Sequence, residues 1–243
     1  MWVQGGAGDA AVELAVGHAL VRRVSAGEVT EALRVYRPSE PVVVFGRRDT
    51  RLPGFGAAVA AARAAGFEPL VRAVGGRPVA YTSQALVVDH VKREPLAPDG
   101  MQTRFTYYGS LYADVLKTLG IDARVGPVPG EYCPGAQSIN ARGVVKLVGT
   151  GQRVVPNGWL FSALVVTGDD ERLRPLLTDV YRHLELPFDP VSVGSLSTEV
   201  PDLTVDSVER HLLDAYGATT PQPLDDATLD LAKSLAADHR VSE

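Results

Sequence analysis

One thiol and one lysine are the residues of this sequence best suited to covalent chemistry. Cys133 is the only cysteine among 243 residues, and Lys146 follows it by thirteen positions. A thiolate is a strong nucleophile, and a nearby cation lowers the pKa of a thiol and so increases its thiolate fraction. A cysteine in isolation is more commonly a small buried apolar residue. The sequence alone does not show that the two side chains meet.

The segments that carry these two residues have different characters. Residues 126–137 contain three prolines and three glycines, a composition typical of a loop, where binding and catalytic groups concentrate. Lys146 instead lies in the apolar run 144–148, where an unpaired ammonium is costly. We therefore expect Lys146 either to reach the end of the sheet or to bind an anionic or carbonyl partner.

Two glycine motifs could approach a ligand with their backbone. Gly75-Gly76 separates two β-like runs and follows Arg72, so bare N–H groups in this turn could face a bound molecule. An ordinary hairpin with a surface arginine explains the same pattern. The segment 6–11 fits the GxGxxA fingerprint, but only five residues precede it. That is too few for the first strand of a dinucleotide-binding unit, so we expect no Rossmann fold.

Composition excludes several classes of protein. The net charge of −5 argues against a nucleic-acid surface, and no apolar run is long enough for a membrane span. The N-terminus lacks the features of a signal peptide, and a single cysteine is typical of a reducing compartment, so we expect a cytoplasmic protein. We expect no metal site and read the histidines, which lack metal-ligand spacing, as surface or helix-face residues. These are His18, His90, His183, His211 and His239.

Hydrophobic periodicity favours an α+β domain with a mixed or antiparallel sheet flanked by helices, because the strands cluster instead of alternating with helices. Asp9 is the expected cap of the first helix, and Gly66 and Gly120 the expected ends of the second and third. The predicted helices cover 10–24, 55–66, 105–119, 170–184, 204–216 and 225–238. The predicted strands cover 33–36, 42–45, 68–74, 78–82, 85–91, 138–140, 144–148 and 159–166, and 92–103 is predicted to be a surface loop.

Three segments in this order resemble the biotin/lipoate protein ligase superfamily, in its lipoate ligase and octanoyltransferase branch. They are LRVYRPSEPVVVFGRRD, VRAVGGRPVAY and RGVVKLVGTGQRV, and the resemblance covers residues 1 to about 217. The Tyr132–Gly135 stretch, YCPG, is most similar to the cysteine-dependent octanoyl amidotransferases. The chain departs from the family pattern at Val74–Arg77, at Tyr81 and at Phe161–Ala163, where the family has more glycine or histidine.

The resemblance implies a core related to class II aminoacyl-tRNA synthetases over 1–217, followed by a helical tail over 218–243. It implies a catalytic Cys133 that forms an octanoyl or lipoyl thioester, assisted by Lys146. The implied acyl-binding residues are Arg72, Gly75, Gly76, Gly149, Thr150 and Gln152.

The implied partners are lipoyl-accepting proteins, such as the glycine cleavage H protein and 2-oxoacid dehydrogenase subunits, or an acyl carrier protein. The transferase needs no cofactor. Two alternatives stay open: a lipoate–protein ligase that uses ATP and Mg and in which Lys146 binds the acyl-adenylate, and a non-catalytic homologue that only binds lipoyl domains.

Overall fold

The computed structural model describes residues 2–4 and 8–241 and confirms the α+β fold. The helices in this part are α1 Ala10–Ala26, α2 Phe55–Ala64, α3 Met101–Thr118, α4 Asp170–His183, α5 Leu196–Glu199, α6 Val205–Ala215 and α7 Asp226–Leu235. The strands are β1 Trp2–Gln4, β2 Glu31–Tyr36, β3 Val42–Phe45, β4 Glu68–Val71, β5 Val79–Tyr81, β6 Ala85–Arg93, β7 Ala123–Val125, β8 Ile139–Ala141, β9 Val145–Val155, β10 Gly158–Val166 and β11 Pro221–Pro223.

The larger sheet is mixed, as predicted. Among the described residues it has eight strands in the order β11-β1-β2-β6-β10-β9-β8-β7. The strands β11, β1 and β2 are parallel, and every pairing from β2 to β7 is antiparallel. The long antiparallel ladder β6-β10-β9 forms its centre and becomes the floor of the site described below.

Alternate side chains along the central strands serve two separate cores, as the period of two in a β-strand requires. One face of β6 and β10 packs under α1 together with the smaller sheet, α2 and α4. The opposite face packs against α3 and α6 through an aromatic group that includes Tyr108, Tyr112 and Phe161. The helices α1 and α3 therefore cover opposite faces of the sheet, each by its apolar side.

Local sequence signals set the helix ends. The carboxylate of Asp9 accepts from the N–H groups of Ala11 and Val12, which confirms the predicted cap of α1. Helix α3 begins at Met101, four residues before the predicted start, so the predicted loop 92–103 shrinks to a short turn between β6 and α3.

The alternative of an ordinary hairpin at Gly75-Gly76 is wrong. The strands on either side of the turn, β4 and β5, do not pair with each other, because β3 lies between them in a three-stranded sheet. Strand β3 is parallel to β4 and antiparallel to β5. The segment between β4 and β5 is thus a crossing loop above the larger sheet, free to take part in a site.

Two short strands at one end of the larger sheet, β11 at its edge and β1 next to it, bring the two ends of the chain together. Strand β1 pairs in parallel with both β2 and β11, so a strand does precede the glycine motif at 6–11. Residues 5–7 of that region lie outside the described part. The predicted tail 218–243 contributes β11 to this sheet and α7 to the surface of α1. In the described part, no helix is both long and apolar enough to cross a membrane.

Candidate active site

The cysteine loop is held in place by bonds to its backbone. Cys133 has a φ of 44°, which is uncommon for a residue with a side chain. Its N–H donates to the hydroxyl of Tyr181 at 2.6 Å, and that hydroxyl donates to the carbonyl of Pro78 at 2.9 Å. The loop conformation is therefore fixed by α4, on which Tyr181 lies.

Lys146 is a second anchor of the same loop. Its ammonium is buried and donates to the carbonyls of Tyr132 at 3.0 Å and Cys133 at 2.7 Å. It also forms an ion pair with the buried carboxylate of Glu131 at 3.2 Å. Both kinds of partner expected from the sequence, anionic and carbonyl, are present. Two hydrogen bonds and one ion pair thus hold the ammonium against residues 131–133, so Lys146 positions the cysteine loop.

The sulfur of Cys133 faces two hydrogen-bond donors. The backbone N–H of Arg77 lies 3.2 Å from Sγ, and Nη2 of Arg72 lies 3.4 Å from it. Burial raises the pKa of the thiol, but the charges of Arg72 and Lys146 and the Arg77 N–H bond outweigh burial, so the pKa of Cys133 lies below its usual value. The site therefore gives Cys133 a larger thiolate fraction than an ordinary cysteine has at the same pH.

The glycine loop makes this approach possible. A Cβ atom on Gly76 would lie 2.8 Å from Sγ of Cys133 and 2.3 Å from Nη2 of Arg72, and the φ of Gly76 is +121°. Only glycine fits such a position without a shift of its neighbours. The loop is fixed further by an ion pair between Arg77 and the buried Asp49 at 2.7 Å.

A groove opens beside the sulfur, between α1, the loop 72–76 and the floor of β6, β10 and β9. The space between these elements is about 710 Å³ when its open mouth is included. Most of its lining is apolar or glycine. The lining includes Gly17, His18, Arg72, Gly75, Val87, Asp89, Cys133, Gly149, Thr150, Gly151, Leu160, Ser162 and Leu164.

The structure brings together most of the residues selected from the sequence. Five of them line the groove: Cys133, Arg72, Gly75, Gly149 and Thr150. Gly76 lies directly beside the sulfur of Cys133. Lys146 is not part of this lining within the described residues, although its side chain runs past Gly149 at 3.3 Å from the Cβ position there.

Gln152 lies apart from the other selected residues. Its amide oxygen accepts from Arg104 at 2.9 Å, and its amide nitrogen donates to the carbonyl of Met101 at 2.8 Å. These contacts join β9 to α3, whereas the groove lies on the α1 face of the sheet. The geometry therefore gives Gln152 a contact with α3 and none with the groove.

Sequence reasoning missed several groups of the site. Arg77 acts through its backbone N–H, and Tyr181 through a hydroxyl from a distant helix, so neither leaves a local motif. The expectation of surface or helix-face histidines is wrong for His90, which is buried on β6, whereas His18 lies on the buried face of α1 and His239 in a buried short helix. His18 even lines the groove. The small residues around it on α1 are the one sequence signal of a close helix–sheet contact.

The family profile described as the lipoyl protein ligase A/B catalytic domain matches residues 9–217. The chain belongs to this family. The resemblance drawn from the cysteine, glycine and lysine segments is thereby confirmed.

Relatives and solved structures agree with this assignment. An octanoyl-[GcvH]:protein N-octanoyltransferase from Exiguobacterium sibiricum is 31% identical over 143 residues, which are 57% of this chain and 50% of that protein. The match thus spans only half the length of this curated relative.

Two ligase structures share the fold. A lipoate-protein ligase A bound with ATP superposes with a TM-score of 0.76 at 18% identity, covering 97% of this chain and 93% of that one. A bi-partite lipoate protein ligase from Thermoplasma acidophilum, described with its E2 lipoyl domain, gives a TM-score of 0.72 at 17% identity, covering 97% and 91%.

Proposed function

We propose that this protein is a cysteine-dependent acyltransferase that moves an octanoyl or lipoyl group, through a thioester on Cys133, to the lysine of a lipoyl-accepting protein domain. The observation that carries the proposal is the thiolate-stabilising contact of Sγ with Arg77 and Arg72 at the wall of an apolar groove. A sulfur that only filled space in a core would need neither the donors nor the opening.

The proposed reaction has two steps. The Cys133 thiolate attacks the carbonyl carbon of the donor's acyl group, and the donor's thiol or amine leaves with a proton. The amine of the acceptor lysine then attacks the thioester, the amide forms, and the amine proton and the thiolate leave. A covalent intermediate of this kind replaces one difficult transfer by two easier ones.

The residues of the groove have distinct roles in this proposal. Arg72 and the Arg77 N–H stabilise the thiolate before attack and again when sulfur leaves. Lys146 acts as a positioning residue, since it fixes the carbonyl of Cys133 and adds positive charge nearby. Gly75, Gly149 and Thr150 offer backbone and small side chains along which an acyl chain could lie.

The relatives indicate the class of donor and acceptor. One is named for transfer from octanoyl-GcvH, and a structural neighbour is described with an E2 lipoyl domain. We propose the same class of partner here, with an acyl carrier protein as the alternative donor and the cytoplasm as the location. The transferase needs no cofactor.

Mass spectrometry of the intact protein tests the proposal. After incubation with octanoyl-H protein or octanoyl acyl carrier protein, we expect one octanoyl group on Cys133, sensitive to hydroxylamine, and no adduct on Cys133→Ser. Transfer to an acceptor domain should proceed without ATP. Acylation that survives in Cys133→Ser and requires lipoate, ATP and Mg would establish the ligase alternative. Tight binding of the acceptor without any transfer would establish a non-catalytic homologue.

A further inference from the structure

The floor of the groove contains a polar pair among apolar residues. Val87, Leu160 and Leu164 present apolar side chains there, whereas Asp89 and Ser162 interrupt the surface. Ser162 and Asp89 are direct cross-strand partners on β10 and β6, and the Ser162 hydroxyl donates to Oδ1 of Asp89 at 2.6 Å. Asp89 is buried, with 5% of its surface exposed.

This polar pair lies at the far side of the groove from the cysteine loop. Gly151 on β9 lies beneath the glycine loop, with its Cβ position 3.5 Å from the carbonyl of Gly75. Ser162 pairs with Gly151 on the next strand, and Asp89 pairs with Ser162 one strand further. Two strand spacings amount to about 10 Å. A medium-length chain attached to Cys133 and crossing the strands would therefore bring its distal end to Asp89.

Among the described residues, Asp89 forms no ion pair with the buried cation opposite it. Arg34 lies opposite Asp89 across β2 and β6, but its guanidinium forms an ion pair with the buried Glu13 on α1. Glu13 already matches the charge of Arg34, so Asp89 is a second carboxyl in the same interior. Burial raises the pKa of Asp89, although Arg34 and the Ser162 hydroxyl oppose that effect. A carboxyl in such a place is costly unless something hydrogen-bonds to it.

A second acceptor comes from α1. Nδ1 of His239 lies 2.8 Å from the carbonyl of Val71, so this nitrogen carries a proton and Nε2 of His239 accepts. Nδ1 of His18 lies 3.2 Å from that Nε2 and must be the donor. The other ring nitrogen of a neutral His18 is then an unprotonated acceptor. It is buried and has no partner in the described structure, and His18 lines the groove at 2% exposure.

Helix α1 has a glycine, Gly17, at the point where it packs on Asp89. A Cβ atom on Gly17 would lie 2.7 Å from Oδ2 of Asp89. Only glycine fits there, so α1 packs directly on the carboxyl, and both Gly17 and Asp89 line the groove. Asp89 and Ser162 thus make one end of an otherwise apolar groove polar, and His18 adds a buried acceptor to the lining of the same groove.

We propose that this end of the groove selects acyl groups that carry a hydrogen-bond donor near the distal end of the chain, a hydroxyl or a thiol, over unsubstituted chains. A hydroxylated medium-chain acyl group and a dihydrolipoyl group both have this chemistry. The inference rests on the proposed acyl transfer and specifies the substrate of that same site.

Two measurements test the selection. The first is the single-turnover rate of Cys133 acylation by the N-acetylcysteamine thioesters of octanoate, 8-hydroxyoctanoate and dihydrolipoate. We expect at least one polar chain to react about tenfold faster than octanoyl or more, because octanoyl leaves buried acceptors unpaired. The polar chain whose rate exceeds the octanoyl rate by the larger factor shows whether a hydroxyl or a thiol is the preferred donor.

The second measurement is the shift in melting temperature of the Cys133→Ser protein with the corresponding free acids. It does not depend on acylation. If Cys133 is never acylated but 8-hydroxyoctanoic or dihydrolipoic acid still stabilises the protein more than octanoic acid, the proposed reaction fails and the selective groove stands.

Variants assign the preference to the polar pair. Asp89→Leu should abolish the ratio between polar and plain chains, and Asp89→Asn should keep most of it because the amide oxygen still accepts. Leu164→Val, on the same floor, is the matched control and should leave the ratio unchanged. If octanoyl reacts and binds as well as both polar chains in the wild-type protein, the inference is overturned, whatever the variants do. A preference that persists in Asp89→Leu also overturns the assignment.

Discussion

The backbone N–H of Arg77 lies 3.2 Å from Sγ of Cys133, and the guanidinium of Arg72 meets the same sulfur at 3.4 Å. One donor comes from the main chain and one from a buried side chain. Both belong to the crossing loop between β4 and β5, while the sulfur belongs to a loop more than fifty residues later. The reactivity of the thiol therefore depends on the docking of two loops.

The first prediction concerns the charge of Arg72. Because Arg72 and Lys146 lower the pKa of Cys133 against the effect of burial, Arg72→Met should raise that pKa. The midpoint of the pH dependence of iodoacetamide alkylation should move to higher pH. The acylation rate at neutral pH should fall about tenfold or more, the effect of losing a hydrogen bond to a charged group. The lone cysteine makes the alkylation signal specific.

A surface arginine provides the control for this experiment. Arg63→Met, on the exposed side of α2, should leave the midpoint where it is in the wild-type protein. An unchanged midpoint in Arg72→Met would mean that the guanidinium does not act on the sulfur.

The second prediction compares two adjacent glycines. Gly76→Ala forces a Cβ atom against both Sγ and the Arg72 guanidinium at a φ of +121°, so the loop must shift. We expect a loss of about 1–3 kcal/mol in the free energy of unfolding, and slower alkylation of Cys133 at neutral pH.

The neighbouring glycine provides the control. In Gly75→Ala the added Cβ atom meets nothing within 4 Å, and Gly75 has no positive φ. This variant should keep both the stability and the alkylation rate. Equal behaviour of the two variants in urea unfolding and alkylation would contradict the described geometry.

The third prediction concerns the buried ion pair of Lys146 and Glu131. Lys146→Met leaves the Glu131 carboxylate in the interior without its cation, which should cost about 3–5 kcal/mol in the free energy of unfolding. Lys146→Met combined with Glu131→Gln should regain part of that loss, because no charge is then stranded. Urea unfolding at pH 7 measures both.

A surface pair calibrates this result. Lys117 and Asp114 form an exposed ion pair on α3, and Lys117→Met should change the free energy of unfolding by less than about 1 kcal/mol. If Lys146→Met cost no more than Lys117→Met, the buried pair would not anchor the cysteine loop. In the double variant, the pKa of Cys133 should be higher than in the wild-type protein, since Lys146 is one of the charges that lower it.

The sequence predicted the parts of this site whose chemistry is local. An ammonium in an apolar strand requires partners, and Lys146 has both kinds that were expected. A Pro/Gly loop is a common location for a functional side chain, and Cys133 in that loop lines a groove. The central strands and most helices followed from periodicity, because their apolar residues repeat with the spacing of the buried face.

The parts that the sequence did not predict depend on contacts between residues that are far apart in the chain. Strand β3 separates β4 from β5, and no local pattern distinguishes that crossing from a hairpin. The short strands β1, β7 and β11 were not predicted. The acceptor role of His18 follows only from His239, which is more than two hundred positions away.

The final prediction is the response of stability to acid. Burial, with the neighbouring His239 and arginines, lowers the pKa of His18 to about 4, below the ordinary value of 6.5 that the unfolded chain has. Between these values the unfolded chain binds a proton that the folded protein rejects, so folding stability falls as the pH drops from about 6.5 towards 4. The contribution of His18 is roughly 1–3 kcal/mol. His18→Gln cannot titrate and should show a shallower loss than the wild-type protein between pH 7.5 and 4.5. His183→Gln, at a half-exposed position on α4, serves as the control and should keep the full loss. The free energy of unfolding is measured with urea at each pH. The contributions of the carboxylates that both proteins share cancel in the difference between the two proteins. Parallel curves for the wild-type protein and His18→Gln would show that the His18–His239 pair is not held neutral in the fold.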